Sequence, residues 1–205
     1  MSLPIVTERA FKAEDGFTDQ KKMGSVWARR FIAAALIQGT IMFVLTEILL
    51  YAAFPSSGFV SPENIVAQGS AGTWFTVGYL GYLIVPVAGS GLSALFYHYL
   101  EVIMGQPYEK GLQYLAWGHL LLGNLVLAGG IALLMYGGYV GGSQLFHPTL
   151  ACPAPATVSE CVHDQILGPL VPIISTLFIV GSLGPLLGGI GYVVQFRKAA
   201  AARRA

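Results

Sequence analysis

The chain alternates between long apolar runs and short polar stretches. Apolar runs cover residues 31–54 (FIAAALIQGTIMFVLTEILLYAAF), about 74–104, about 112–139 and about 166–196. Each reaches the roughly 20 residues that a helix needs to cross the hydrocarbon core of a bilayer. The pattern predicts an all-α, polytopic membrane protein with four transmembrane helices in an antiparallel bundle. The bundle occupies residues 31–196, after an N-terminal segment 1–30 and before a basic tail 197–205.

Composition supports this reading. Hydrophobic residues make up 55% of the 205-residue chain and charged residues only 10%, with mean hydropathy +0.66. A soluble domain carries about 25% charged residues, so too few are present to cover a water-facing surface. The net charge of +1 says less than the positions of the charges. Arg9, Lys12, Lys21, Lys22, Arg29 and Arg30 precede the first run, Lys110 lies between the second and third, and Arg197, Lys198, Arg203 and Arg204 follow the fourth. Loops 55–73 and 140–165 contain no Lys or Arg. Under the positive-inside rule both termini and the 105–111 turn are expected to be cytoplasmic. Residues 1–30 lack the short apolar core of a secretory signal, so the first run is expected to remain as an uncleaved helix. The tail RKAAAARRA reads as an orientation signal and lipid-headgroup contact, not as a nucleic-acid patch.

The two cysteines, Cys152 and Cys161, fall in a loop assigned outside, where a disulfide is allowed. The C-x8-C spacing matches no common metal or redox motif, so a structural bridge is expected. Small residues dominate three of the spans. Gly89 and Gly91 in the second, Gly123 in the third and the Gly184-x-x-x-Gly188 motif in the fourth are expected to let helix backbones approach closely. Pro86 and Pro185 each remove a backbone donor within a span and are read as tolerated bends. Trp27, Trp74, Trp117, Tyr51, Tyr99, Tyr139 and Tyr192 lie near the run ends, where interfacial anchors are common.

Few polar side chains fall within the apolar runs. Glu47 stands in the outer half of the first, a costly position for a carboxylate. It is a candidate for proton handling or for a structural hydrogen bond to Thr46, Asn124 or a partner subunit. The stretch FYHYLE places His98 and Glu101 on one helix face, where they are expected to form a local pair at the end of the second span. His119 lies about two turns into the third span. His98 and His119 are candidate haem ligands, and with Glu101 candidate metal ligands, although a carboxylate-bridged di-metal bundle wants more Glu and His at facing positions. No HExxH, CxxCH, phosphate-binding GxGxxG or Ser-His-Asp pattern occurs in a supporting context. His147 and His163 flank the cysteine loop and are expected to be solvated.

The stretch GLSALFYHYLEVIMGQPYEKGLQYLAWGHLLLGNLVLAGGIALLMYGGYVGG resembles an early helix–turn–helix of heme–copper oxidase catalytic subunits. There a glycine-rich helix ends in an aromatic "YYL" element before a short polar turn and another long helix. The likeness extends over spans one to three. The haem-ligating histidine of that family has no counterpart in TWFTVGYLGYL, nor do its copper-ligating histidines. The resemblance therefore implies a small accessory subunit that lacks the haem and copper ligands.

The combined expectation is a non-catalytic membrane subunit of a respiratory complex, a terminal oxidase in particular. It would reside in the cell membrane or another energy-coupling membrane, with other membrane subunits and lipid as partners, no nucleic acid and no cofactor of its own. The alternatives are a small b-type cytochrome that holds haem b through His98 and His119, and a proton-coupled transporter that uses Glu47.

Overall fold

The computed structural model describes residues 24–67, 69–144, 146 and 158–202. Cys152 and His147 lie outside the described residues, and with Cys152 the expected Cys152–Cys161 bridge. Arg9, Lys12, Lys21, Lys22, Arg203 and Arg204 lie outside them as well. The architecture is that of a multi-pass membrane protein, because four helices are long and apolar enough to cross a bilayer. They are α1 (Val26–Ala52), α3 (Ser70–Ile103), α4 (Gly111–Ser143) and α6 (Leu170–Ala202). Two short helices, α2 (Pro62–Val66) and α5 (Val158–Cys161), occupy the connections at the far end.

The helix boundaries differ from the apolar runs for local reasons. α1 starts before its run because Ser25 caps it, the side-chain oxygen accepting from the Ala28 N–H at 2.9 Å. Such a cap satisfies one of the free N–H groups that begin every helix. α6 continues past the apolar limit into Ala199–Ala202, since alanine is the strongest helix former and needs no burial to remain helical. The basic tail is thus helical as far as Ala202.

Three π-turns interrupt the long helices. Pro86 sits in the first, Leu83–Ala88. A proline in regular α-helix collides with the carbonyl four residues back, and the wider π-turn relieves that collision. α3 ends in a second π-turn, Tyr99–Ile103, and α4 contains the third, Leu122–Leu127.

The tightest packing joins the first half of α3 to the second half of α4. There the backbones meet through glycines. A Cβ added at Gly138 would lie 2.1 Å from the Phe75 N, and one at Gly78 would lie 2.5 Å from the Met135 N. α6 packs on α4 by the same device. A Cβ at Gly181 would meet the Leu127 backbone at 2.7 Å, and one at Gly184 would meet the Gly123 N at 2.7 Å. The Gly184–Gly188 motif is therefore a packing face, extended one turn by Gly181. Gly123 takes part through its backbone. Gly89 and Gly91 do not pack closely: a Cβ at Gly91 meets nothing within 4 Å, and one at Gly89 meets only the Ile84 carbonyl of its own helix at 3.6 Å. Spacing alone did not reveal which way these two glycines point.

The end of the bundle near both described termini has its own aromatic core. Trp27, Phe31, Tyr97 and Tyr108 are buried there, with Tyr192 packed against them. Phe31 stacks on Tyr97 at 4.9 Å between centroids, and Tyr192 meets Tyr97 edge-on at 5.0 Å. Trp27 and Tyr192 are thus core residues rather than interfacial anchors. Trp27 and Trp117 also hold the Arg30 guanidinium, which lies 4.5 and 4.6 Å from their ring centroids. Tyr139 likewise turns inward, its hydroxyl donating to the Val60 carbonyl at 3.0 Å.

Candidate functional site

The expected His98–Glu101 pair does not form. Among the described residues no hydrogen bond or ion pair joins the two, and His98 is exposed. Glu101 instead reaches the start of α1. Its Oε2 accepts from the Ser25 hydroxyl and from the Trp27 N–H, the latter at 3.3 Å. The carboxylate thereby adds charge of the sign that a helix N-terminus favours and ties the end of α3 to the beginning of α1. Sequence spacing identified a neighbour that Glu101 was able to reach, but the fold supplied a better donor set.

The same end is closed by Gln195 of α6, whose Nε2 donates to the Gln106 and Pro107 carbonyls at 3.1 and 2.6 Å. Tyr108 in that turn is buried, and burial pushes its hydroxyl above the ordinary phenol value. Tyr192 and then Glu101 add smaller effects in the same direction.

His119 faces inward. It is 8% exposed and lies against the Phe31 ring at 4.8 Å between centroids. Its Nδ1 is 3.4 Å from the Tyr97 hydroxyl and its Nε2 is 3.5 Å from the Ser93 hydroxyl. Both separations exceed the usual range of about 2.7–3.2 Å. α6 accommodates the ring at Gly188, where an added Cβ would lie 2.2 Å from Nδ1. It is Tyr97, not His98, that turns toward His119, so the two histidines are not brought together. His163 is exposed. Among the described residues no three His, Cys, Asp or Glu side chains gather in a way that suits a metal ion.

Next to His119 is a polar junction that the sequence reading missed. Gln38 of α1 accepts from the Tyr82 hydroxyl through Oε1 and donates from Nε2 to the Asn124 backbone carbonyl at 2.7 Å. Ser90 donates to Asn124 Oδ1 at 2.7 Å. Gln38, Tyr82, Ser90 and Asn124 are all buried. The carbonyl that Gln38 reaches belongs to the π-turn of α4, where the altered backbone bonding leaves a group for a side chain to satisfy. An isolated Gln or Asn in an apolar run was the available signal.

Removing Gln38 leaves the Tyr82 hydroxyl without its acceptor. Gln38→Leu is expected to lower stability in detergent by about 1–2 kcal/mol. Adding Tyr82→Phe should recover part of that loss, because it removes the orphaned hydroxyl, while the Asn124 carbonyl that Gln38 served stays unpaired in both variants. Denaturant titration of the two single variants and the double variant measures the coupling. Strictly additive losses would show that the bond contributes nothing.

A cavity of ≈ 530 Å³ opens beside this junction, walled by α1, α3, α4 and α6. Phe31, Ser90, Ser93, His119, Asn124 and Pro185 are among its lining residues. Both the Pro86 and the Asn124 π-turns contribute to its wall.

Glu47 is elsewhere. α1 turns Gln38, Met42, Leu45 and Leu49 toward the bundle. At about 100° per residue, Glu47 stands opposite Gln38 and is exposed. It is therefore far around the helix from Asn124. Thr46, the other expected partner, bonds to the Met42 carbonyl and the Tyr79 hydroxyl at 2.7 and 2.8 Å. Glu47 lies on an outward stripe of Leu36, Thr40, Phe43, Glu47 and Leu50, spaced alternately four and three residues. Leu36, Phe43 and Leu50 are 66%, 64% and 57% exposed.

Together these features define a four-span membrane protein with a largely apolar, laterally open cavity that carries a few polar groups on its inner wall, and a first helix with one outward face exposed. Comparison with protein-family models, curated proteins and solved structures finds no match.

Proposed function

We propose that this chain is a non-catalytic subunit of an energy-transducing respiratory complex, a terminal oxidase in particular, and that α1 is its docking helix. The observation that carries this reading is the outward stripe of α1 with Glu47 within it. A carboxylate at that depth is costly against lipid and ordinarily faces protein or water. Leu36, Phe43 and Leu50 recur every seven residues, the repeat by which one helix packs along another, with Thr40 and Glu47 between them. A helix of a neighbouring subunit would cover the apolar stripe and supply a hydrogen-bond donor or a cation to Glu47. The resemblance of spans one to three to oxidase helices supports the respiratory assignment.

The rival readings draw less support. Axial ligation of haem by two histidines requires both to face one space, whereas His98 is exposed and His119 is buried. A proton path through this chain would want Glu47 near the internal cavity, yet Glu47 is on the opposite side of α1.

Extraction of the native membrane in mild detergent tests the proposal. The chain is expected to migrate as part of a larger assembly and to co-purify with respiratory subunits. Glu47→Leu should release it from that assembly with its own fold retained, because an apolar side chain at this position carries no cost against hydrocarbon. A monodisperse monomer without companions from the native source would overturn the reading.

A further inference from the structure

The internal cavity is separate from the α1 stripe. Its volume of ≈ 530 Å³ falls within the range of about 300–1,000 Å³ typical of small-molecule sites. Most of its wall is apolar, and no Lys, Arg, Asp or Glu lines it. Four polar side chains, Ser90, Ser93, His119 and Asn124, converge on it from α3 and α4. Ser90 and Asn124 satisfy one another at 2.7 Å. His119 does not reach that standard, since its contacts to Ser93 and Tyr97 are 3.5 and 3.4 Å. A buried imidazole with two long contacts retains capacity for a better partner. Ile84 and Leu92, which also line the space, are 64% and 56% exposed on the flank of α3. The cavity therefore has a polar inner wall and an apolar side open to the hydrocarbon.

We propose that this cavity binds a neutral amphiphile, with an oxygen-bearing head at His119 and Ser93 and an apolar tail leaving past Ile84 and Leu92. The uncharged lining excludes anionic and cationic heads, which would be buried without a counter-charge. A carbonyl head would accept from the His119 ring or the Ser93 hydroxyl. A hydroxyl head would also be able to donate to the free imidazole nitrogen. Membrane quinones and acylglycerols share this chemistry and differ in which of those bonds they make.

Gly123 provides the test. An added Cβ there meets only the His119 Cδ2, at 3.9 Å, and Gly123 lines the cavity, so a side chain begun at this position starts in open space. Purified full-length chain in mild detergent would be titrated with a decyl-tailed benzoquinone, with a monoacylglycerol and with decane as a headless control. Native mass spectrometry and thermal shift would follow binding. At least one oxygen-headed probe is expected to bind more tightly than decane. Gly123→Leu should abolish that binding with the unfolding midpoint retained. His119→Phe keeps a ring of similar shape and should weaken binding about tenfold, as for loss of one buried hydrogen bond. Binding of the quinone alone assigns a carbonyl head, and binding of the acylglycerol alone assigns a hydroxyl head. Failure of both probes to bind, equal binding of decane, or binding indifferent to both Gly123→Leu and His119→Phe would overturn the proposal. Assembly with respiratory subunits is a separate readout, so this proposal and the docking role of α1 can fail independently.

Discussion

Gly138→Val is expected to destabilise the bundle by about 3 kcal/mol or more, at the upper end of overpacking costs. The first atom added at this position falls 2.1 Å from the Phe75 N and 2.7 Å from the Ala71 carbonyl oxygen. Both are backbone atoms of α3, which has no rotamer to change. α3 and α4 must therefore separate along their tightest contact, and the loss extends to the neighbouring approach of Gly78 to Met135. Within lipid no hydrophobic burial holds the two helices together, so the loss is that of the close backbone packing itself. Gly129→Ala is the matched control. It lies in the same helix with nothing within 4 Å of its added Cβ, and should be neutral or stabilising by up to about 1 kcal/mol. Equilibrium unfolding in mixed detergent compares the two. Equal stability of Gly138→Val and Gly129→Ala would remove close backbone contact as the basis of the fold.

The second large effect concerns Glu101. Glu101→Ala removes the acceptor for Ser25 and Trp27 and is expected to cost about 2–3 kcal/mol, as for hydrogen bonds to a charged group. Glu101→Gln should lose less, since an amide oxygen still accepts from the Ser25 hydroxyl. Ser25→Ala removes the cap of α1 and should cost about 1 kcal/mol. The double variant should cost less than the sum, because both side chains serve the same helix end. Hydrogen exchange locates the damage: the amides of Trp27 and the next turn should lose protection ahead of those in α4. His98→Gln should stay within about 0.5 kcal/mol of the parent. An equal loss from His98→Gln and Glu101→Ala would instead support a local pair within α3.

These results would also separate the two roles that glycine plays here. At Gly138, Gly78, Gly181 and Gly184 the missing Cβ lets backbones touch. At Gly188 it makes room for a side chain, the imidazole of His119. At Gly123 and Gly91 it leaves space open. A G-x-x-x-G spacing identifies a small helix face, but not what that face meets. The Gly184–Gly188 motif was legible because its two glycines fall on one face of α6. The stronger crossing at Gly138 was hidden among Gly137, Gly138, Gly141 and Gly142, which share one broad small face of α4 on which spacing does not say which glycine meets a backbone.

Apolar run length determined the class of this protein, the number of its long helices and their approximate ends. That follows from elementary physics: a backbone surrounded by hydrocarbon must satisfy its own hydrogen bonds, and a helix of sufficient length does so locally. The unusual status of Glu47 and the smallness of the α6 face were visible for the same reason, since each depends on one segment alone. Partners were not visible. Glu101 was able to choose between a histidine one turn away and a helix N-terminus 74 residues away, and only the crossing of α1 with α3 decided for the latter. Gln38, Tyr82, Ser90 and Asn124 are single polar residues in three different runs, and their junction exists only where those runs meet. The tertiary structure likewise turned His119 inward and left His98 outside, because Tyr97, one residue earlier, occupies the face that α4 and α6 enclose.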